Sequence, residues 1–235
     1  DFHWEQKEDQ QFKGKLKLHY DGTGLVAINS IQIEDYLRSV ISSEMNADSP
    51  PAFLKAHAVI SRSWLLAQIR KKDEIVQKGE AYQSGTSDAD SYIRWFDRED
   101  HTLYDVCADD HCQRYQGITK TTTEQARHAV EETFSQVLTY NGEICDARFS
   151  KACGGMTEAF ENVWEPSPKP YLQAFADNPH PPEGFATDLR KEENAHAWIT
   201  QSPQAFCNTQ DEALLSKILP DFDQATADFY RWEVS

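Results

Sequence analysis

The chain has 235 residues, enough to bury the core of one large domain, and its 39% hydrophobic, 11% aromatic and 26% charged make-up is that of a folded globular protein. Its formal net charge of −16 repels phosphate backbones and anionic lipid surfaces, and no basic run interleaved with aromatics offsets it; this argues against nucleic-acid binding. No apolar stretch reaches the roughly 20 residues that span a bilayer.

The chain opens on Asp1 rather than Met and closes on FYRWEVS, which reads as a strand, so we expect a processed product that continues at both ends. Phe12, Leu16, Leu18 and Tyr20 alternate with polar residues, a turn follows at residues 21–24, and a second run covers 25–33. That pattern predicts a β-hairpin. Helical spacing then takes over across 33–45, with Tyr36, Leu37, Val40 and Ile41 at three- and four-residue steps. Ser49 is the expected N-cap of a second helix that opens on Pro50 and Pro51 and runs to about Arg70. Residues 71–100 are polar and turn-rich, and read as a surface insertion in a single domain of residues 1–235, packed down through Tyr92, Trp95 and Phe96.

A third helix is predicted over 123–133, with Thr123 as its cap. Asn141-Gly142 is the strongest short hairpin signal in the chain. The prolines between Pro166 and Pro182 predict a rigid extended loop, and a last helix is expected over 210–219. Strands and helices mingle without βαβ regularity, so the expected fold class is α+β: hairpins and helices around one core, with a helical corner.

That corner carries the first candidate chemistry. Glu44 follows Val40 by four residues and Ile41 by three, so it shares their apolar stripe. On the second helix Arg62 falls within the stripe of Leu54, Ala58, Leu65 and Ile69, and His57 within the neighbouring one. A desolvated carboxyl rises in pKa while a nearby guanidinium pulls it down, and together they suit a general acid. A structural ion pair closing the helix corner fits the same spacing.

The second candidate is HTLYDVCADDHCQRYQG, in which His101, Cys107, His111 and Cys112 offer imidazole and thiolate, the donors that zinc prefers. Because neighbouring residues rarely reach one ion, His101, Cys107 and Cys112 are the expected ligands. A Cys107–Cys112 disulfide or plain buried thiols remain open, although the five cysteines leave at least one unpaired. In the third stretch, FSKACGGMTEAFENVW, Gly154-Gly155 permits close backbone approach, and Cys153 lacks an evident histidine to activate it. Trp164 and Tyr171 can form a stacking wall for sugar rings or ordinary packing.

Four ordered stretches, IEDYLRSVISSEM, LKAHAVISRSW, HTLYDVCADDHCQRYQG and YNGEICDARFSKACGGMTEAFENVW…PYL, together resemble the SpoIID/LytB family of stage II sporulation protein D and amidase enhancers, across most of residues 31–175. The resemblance implies a bacterial, extracytoplasmic envelope protein. It implies a lytic transglycosylase that cuts the MurNAc–GlcNAc bond of peptidoglycan glycan strands stripped of stem peptides and leaves 1,6-anhydroMurNAc ends. Glu44 corresponds to the family's catalytic acid/base, and Arg62, Gln113, Tyr115, Ser150 and Thr157 to residues facing the same groove. It also makes structural zinc plausible at the His/Cys cluster, and a cell-wall amidase a partner, the alternative role being a non-catalytic enhancer of that amidase. Three departures stand out: Asn46 where the family has Pro, His57 where it has Gln, and Cys153 where it has a small polar residue.

Overall fold

The computed structural model describes residues 7–78, 85–95, 101–120, 123–178 and 188–220. The fold is α+β and divides into two compact units, one of residues 1–80, 100–147 and 216–222, the other of 81–99, 148–215 and 223–235. The FYRWEVS ending and Phe96 lie outside the described residues.

The first unit is built on α1 (Ile33–Glu44), α2 (Pro51–Lys78) and α3 (Glu124–Glu132). Leu37, Val40 and Ile41 of α1 meet Leu54 and Ala58 of α2 and Ala126 of α3, all at zero exposure. Each Val, Leu or Ile so buried contributes about 1.5–3 kcal/mol. α3 starts as expected, with Thr123 Oγ1 accepting the Ala126 N–H at 3.2 Å.

α2 begins at Pro51, but Ser49 does not cap it: the Ser49 hydroxyl donates to the Lys217 carbonyl at 3.1 Å. The helix also passes Arg70 and ends at Lys78, because Lys71, Lys72, Asp73 and Glu74 favour or tolerate helix and no breaker occurs before Gly79.

The predicted hairpin is β1 (Lys15–Tyr20) against β2 (Leu25–Ser30), antiparallel, with Lys15 opposite Ser30 and Tyr20 opposite Leu25. Its turn is locked by Asp21 Oδ1, which accepts the Thr23 and Gly24 N–H groups at 2.8 Å. Those bonds hold the Asp21 carboxyl down at about 2. Asn141-Gly142 joins β5 (Thr139–Tyr140) to β6 (Glu143–Ile144), both turn residues at positive φ, 50° and 83°; this is the reason for that dipeptide.

In the second unit β3 (Gly85–Ser87) pairs with β4 (Tyr92–Arg94), and α4 (Phe160–Val163) and α5 (Glu192–Thr200) supply the helices. Buried Trp95 donates its indole N–H to the Glu161 carbonyl at 2.6 Å, while Tyr92 is exposed instead of packed. Past the prolines at 166, 168 and 170, the chain returns to bridge Ala176 to Met156. α6 (Glu212–Ile218) falls within the expected 210–219, its first turn held by Asp211 Oδ1 on the Ala213 and Leu214 N–H groups.

Candidate functional site

Glu44 is the last residue of α1, and the helix ends there because Met45 turns to extended backbone. The next residue explains one departure from the family pattern. Asn46 donates its N–H to the Ile218 carbonyl at 3.2 Å and its side-chain N–H to Ser216 O, while its Oδ1 accepts the Asp48 N–H at 2.9 Å. A proline in that place has no N–H to give. Glu44 itself is partly buried, and its Oε1 accepts the backbone N–H of Arg114 at 2.6 Å.

The holder of that bond is itself well fixed. Arg114 donates two guanidinium N–H groups to Asp110, at 2.8 and 2.7 Å. Tyr115 N–H returns to the Ala108 carbonyl at 3.1 Å, and Gln116 N–H reaches Ser39 Oγ of α1. Gln113 is buried, its Oε1 accepting from Tyr36 OH at 3.2 Å and its amide donating to Ser61 O at 3.3 Å. Tyr36 stacks on Tyr115 at 5.1 Å between ring centres, and Tyr115 OH donates to Asn29 Oδ1 at 2.6 Å. Burial, followed by the negative charges of Cys112 and Glu44, pushes the Tyr36 phenol well up, so it stays a neutral donor.

Arg62 is not the partner of Glu44. Its Nε and one NH2 group donate to the two oxygens of Glu34, at 3.0 and 2.6 Å, and its other nitrogen donates to the Gln136 carbonyl. At 1% exposure this fork ties the first turn of α1 to mid-α2, inside the protein and not on a groove wall. His57, about 1.4 turns before it along α2, lies beside Phe53, and burial lowers it to about 4.

The four donors at 101–112 come together. One ligand atom from each of His101, Cys107, His111 and Cys112 lies within 4.8 Å of the other three. Cys112 Sγ is 3.4 Å from His101 Nε2 and 3.5 Å from His111 Nδ1, and Cys107 Sγ is 3.9 Å from His111 Nδ1. Zinc bonds of about 2.0–2.3 Å in a tetrahedron set donors roughly 3.3–3.8 Å apart, so the donor set fits that ion. His111 joins the three expected ligands in this cluster: Cys112 N–H closes a tight turn onto the Asp109 carbonyl at 2.9 Å, which brings both adjacent side chains to one point.

A cavity of about 590 Å3 opens in the same unit, lined by Phe12, Asn29, Tyr36, Leu65, Cys107 and Tyr115 among others. Tyr115 lines it and Glu44 does not. Ser150 and Thr157 belong to the second unit. Ser150 is exposed, and the Thr157 hydroxyl is engaged by the Gln173 and Phe175 backbone. Burial and the neighbouring Cys207 push the Cys153 thiol up to about 12, the opposite of an activated nucleophile.

A family model described as stage II sporulation protein (SpoIID) matches residues 21–140, and one described as a domain of unknown function (DUF8618) matches residues 158–235. Over 65 residues the chain is 43% identical to the amidase enhancer of Bacillus subtilis, 28% of this chain and 9% of that protein. It is 27% identical over 155 residues to stage II sporulation protein D of the same organism, 63% of this chain and 39% of that one. An uncharacterised protein of Brachyspira hyodysenteriae is 29% identical over 155 residues, 66% of this chain and 34% of the relative. The chain thus spans well under half the length of these relatives.

Proposed function

The chain belongs to the stage II sporulation protein (SpoIID) family, and from that premise we propose that it is a peptidoglycan lytic transglycosylase of the bacterial cell envelope, outside the cytoplasm. The observation that carries the reading is the Glu44 carboxyl, partly buried at the end of α1 and aimed by one backbone N–H. With Oε1 accepting from Arg114, the proton of the neutral acid rides on Oε2. Glu44 donates that proton to the oxygen of the MurNAc–GlcNAc bond as positive charge develops at C1 of MurNAc. The resulting carboxylate then takes the proton of the sugar's own C6 hydroxyl as it closes on C1, giving the 1,6-anhydro end. One carboxyl serves both steps because the nucleophile belongs to the substrate, whereas ordinary glycosidases need two. Gln113, Arg62 and the Tyr36–Tyr115 stack act by position, fixing α1 and the 113–115 segment on either side of Glu44.

Zinc fits the His101, Cys107, His111 and Cys112 donors, which would hold it as a structural clamp. Arg114 follows Cys112 by two residues, so a clamp on the ligands also fixes the N–H that aims Glu44.

Incubation of wild-type protein with denuded glycan should release fragments one water lighter than hydrolysis would give. Glu44→Gln should lose at least about a hundredfold in rate, the usual share of a general acid. Full activity in Glu44→Gln would remove Glu44 from the reaction. The likeness to an amidase enhancer supports a second reading, a glycan-binding partner of a cell-wall amidase. Glycan bound but never shortened, with an added amidase accelerated, would favour that role.

A further inference from the structure

Beyond the stretch that matches the SpoIID model, the second unit brings together Cys153, Asp177 and Cys207, one ligand atom of each within 4.8 Å of the other two. We propose that these three side chains form a second metal site, separate from the His/Cys cluster, that takes a zinc-class divalent cation.

The spacing favours an ion over a disulfide. Cys153 Sγ and Cys207 Sγ stand 3.6 Å apart. Two zinc–sulfur bonds of about 2.3 Å at a tetrahedral angle separate their sulfurs by roughly 3.8 Å, whereas a disulfide needs about 2.05 Å. A disulfide also gives the Asp177 carboxylate no cation, only the Cys207 N–H that its Oδ2 already accepts. A cation accounts for all three acidic groups, and the pairing of two thiolates with one carboxylate suits zinc better than magnesium or calcium.

The surroundings are built to hold the donors. Gly154 and Gly155 adopt φ of 68° and 94°, a turn that sends the Gly155 N–H back to the Cys153 sulfur. Asp177 N–H donates to the Gly155 carbonyl, Phe206 N–H to the Asp177 carbonyl, and Cys207 N–H to Asp177 Oδ2, each at 2.9 Å. Three segments distant in sequence are thereby laced around one point. The last of these bonds fixes the carboxylate's orientation, as hydrogen bonds behind metal ligands commonly do. Cys153, a departure from the family pattern, acquires a use that the SpoIID match does not supply.

Metal content read without any activity assay tests this apart from the glycan reading. The whole chain, purified with zinc and without chelator, should carry two equivalents, and Cys153→Ser or Cys207→Ser one. Cys107→Ser/Cys112→Ser should carry one as well, with Cys153 and Cys207 protected from alkylation until chelator is added. Asp177→Asn keeps an oxygen for the Cys207 N–H and should weaken zinc retention about tenfold or more. Should the double variant fail to fold, comparing wild type with Cys153→Ser decides the matter alone. Equal zinc in those two proteins, or a Cys153–Cys207 disulfide in the non-reduced mass, would overturn the site.

Discussion

Arg62 was brought inside by the stripe of Leu54, Ala58 and Leu65, and at 1% exposure it depends on Glu34 for its solvation. Removing one partner of such a pair leaves an uncompensated buried charge, which costs about 3–5 kcal/mol. Glu34→Ala, which strands that guanidinium, should therefore lower the urea midpoint sharply, and a midpoint equal to wild type would show that the pair does not hold α1 to α2. His57 gives a pH-dependent counterpart. Its folded value near 4 lies below the ordinary 6.5, so between those values the unfolded chain binds the extra proton and stability falls with falling pH. The loss from neutrality to pH 4 is roughly 3 kcal/mol for that one group. His57→Gln, the residue usual in the family, should flatten this part of the stability profile in denaturant melts at stepped pH.

At the scale of elements, Gly117 shows how closely segments approach. It sits at φ 68°, and a Cβ there would lie 2.2 Å from the Gln11 carbonyl oxygen. The Ile118 N–H donates to that same oxygen at 2.7 Å. Gly117→Ala should push residues 11 and 12 away and cost at least about 1–2 kcal/mol, visible as a lower Tm and faster proteolysis near Phe12. Much at this scale was legible beforehand. Three- and four-residue spacing located α1 and α3, and the Asn-Gly pair located the β5–β6 turn. The rise per residue also specifies the partner of Arg62. Glu34 lies ten residues before the end of α1, about 15 Å, and Arg62 eleven after the start of α2, about 17 Å. Two helices folding back on each other bring those levels together and leave Glu44 at the elbow. What spacing hides is tight-turn geometry, which turned His111 and Cys112 toward one point. Spacing carries no trace of the 177 and 207 segments either, because only long-range backbone bonds bring them to Cys153.

For the molecule as a whole, the charge of −16 means that any bound cation offsets self-repulsion as well as filling a site. Chelation should lower Tm and expose Cys107 and Cys112 to alkylation; unchanged reactivity of both thiols would speak against zinc at 101–112. The same treatment should slow the proposed glycan cleavage, since the ligands and the Arg114 amide share one short segment. Among the described residues no helix is long and apolar enough to cross a membrane.

The grip on Glu44 has an implication for how this protein can vary. An amide of the main chain is present whichever amino acid occupies position 114, so the acid's aim is indifferent to the identity of that side chain. Swapping Arg114 for most others leaves the tether standing. Proline alone deletes it, and would remove that one bond to the acid while every other partner in the neighbourhood stayed in place.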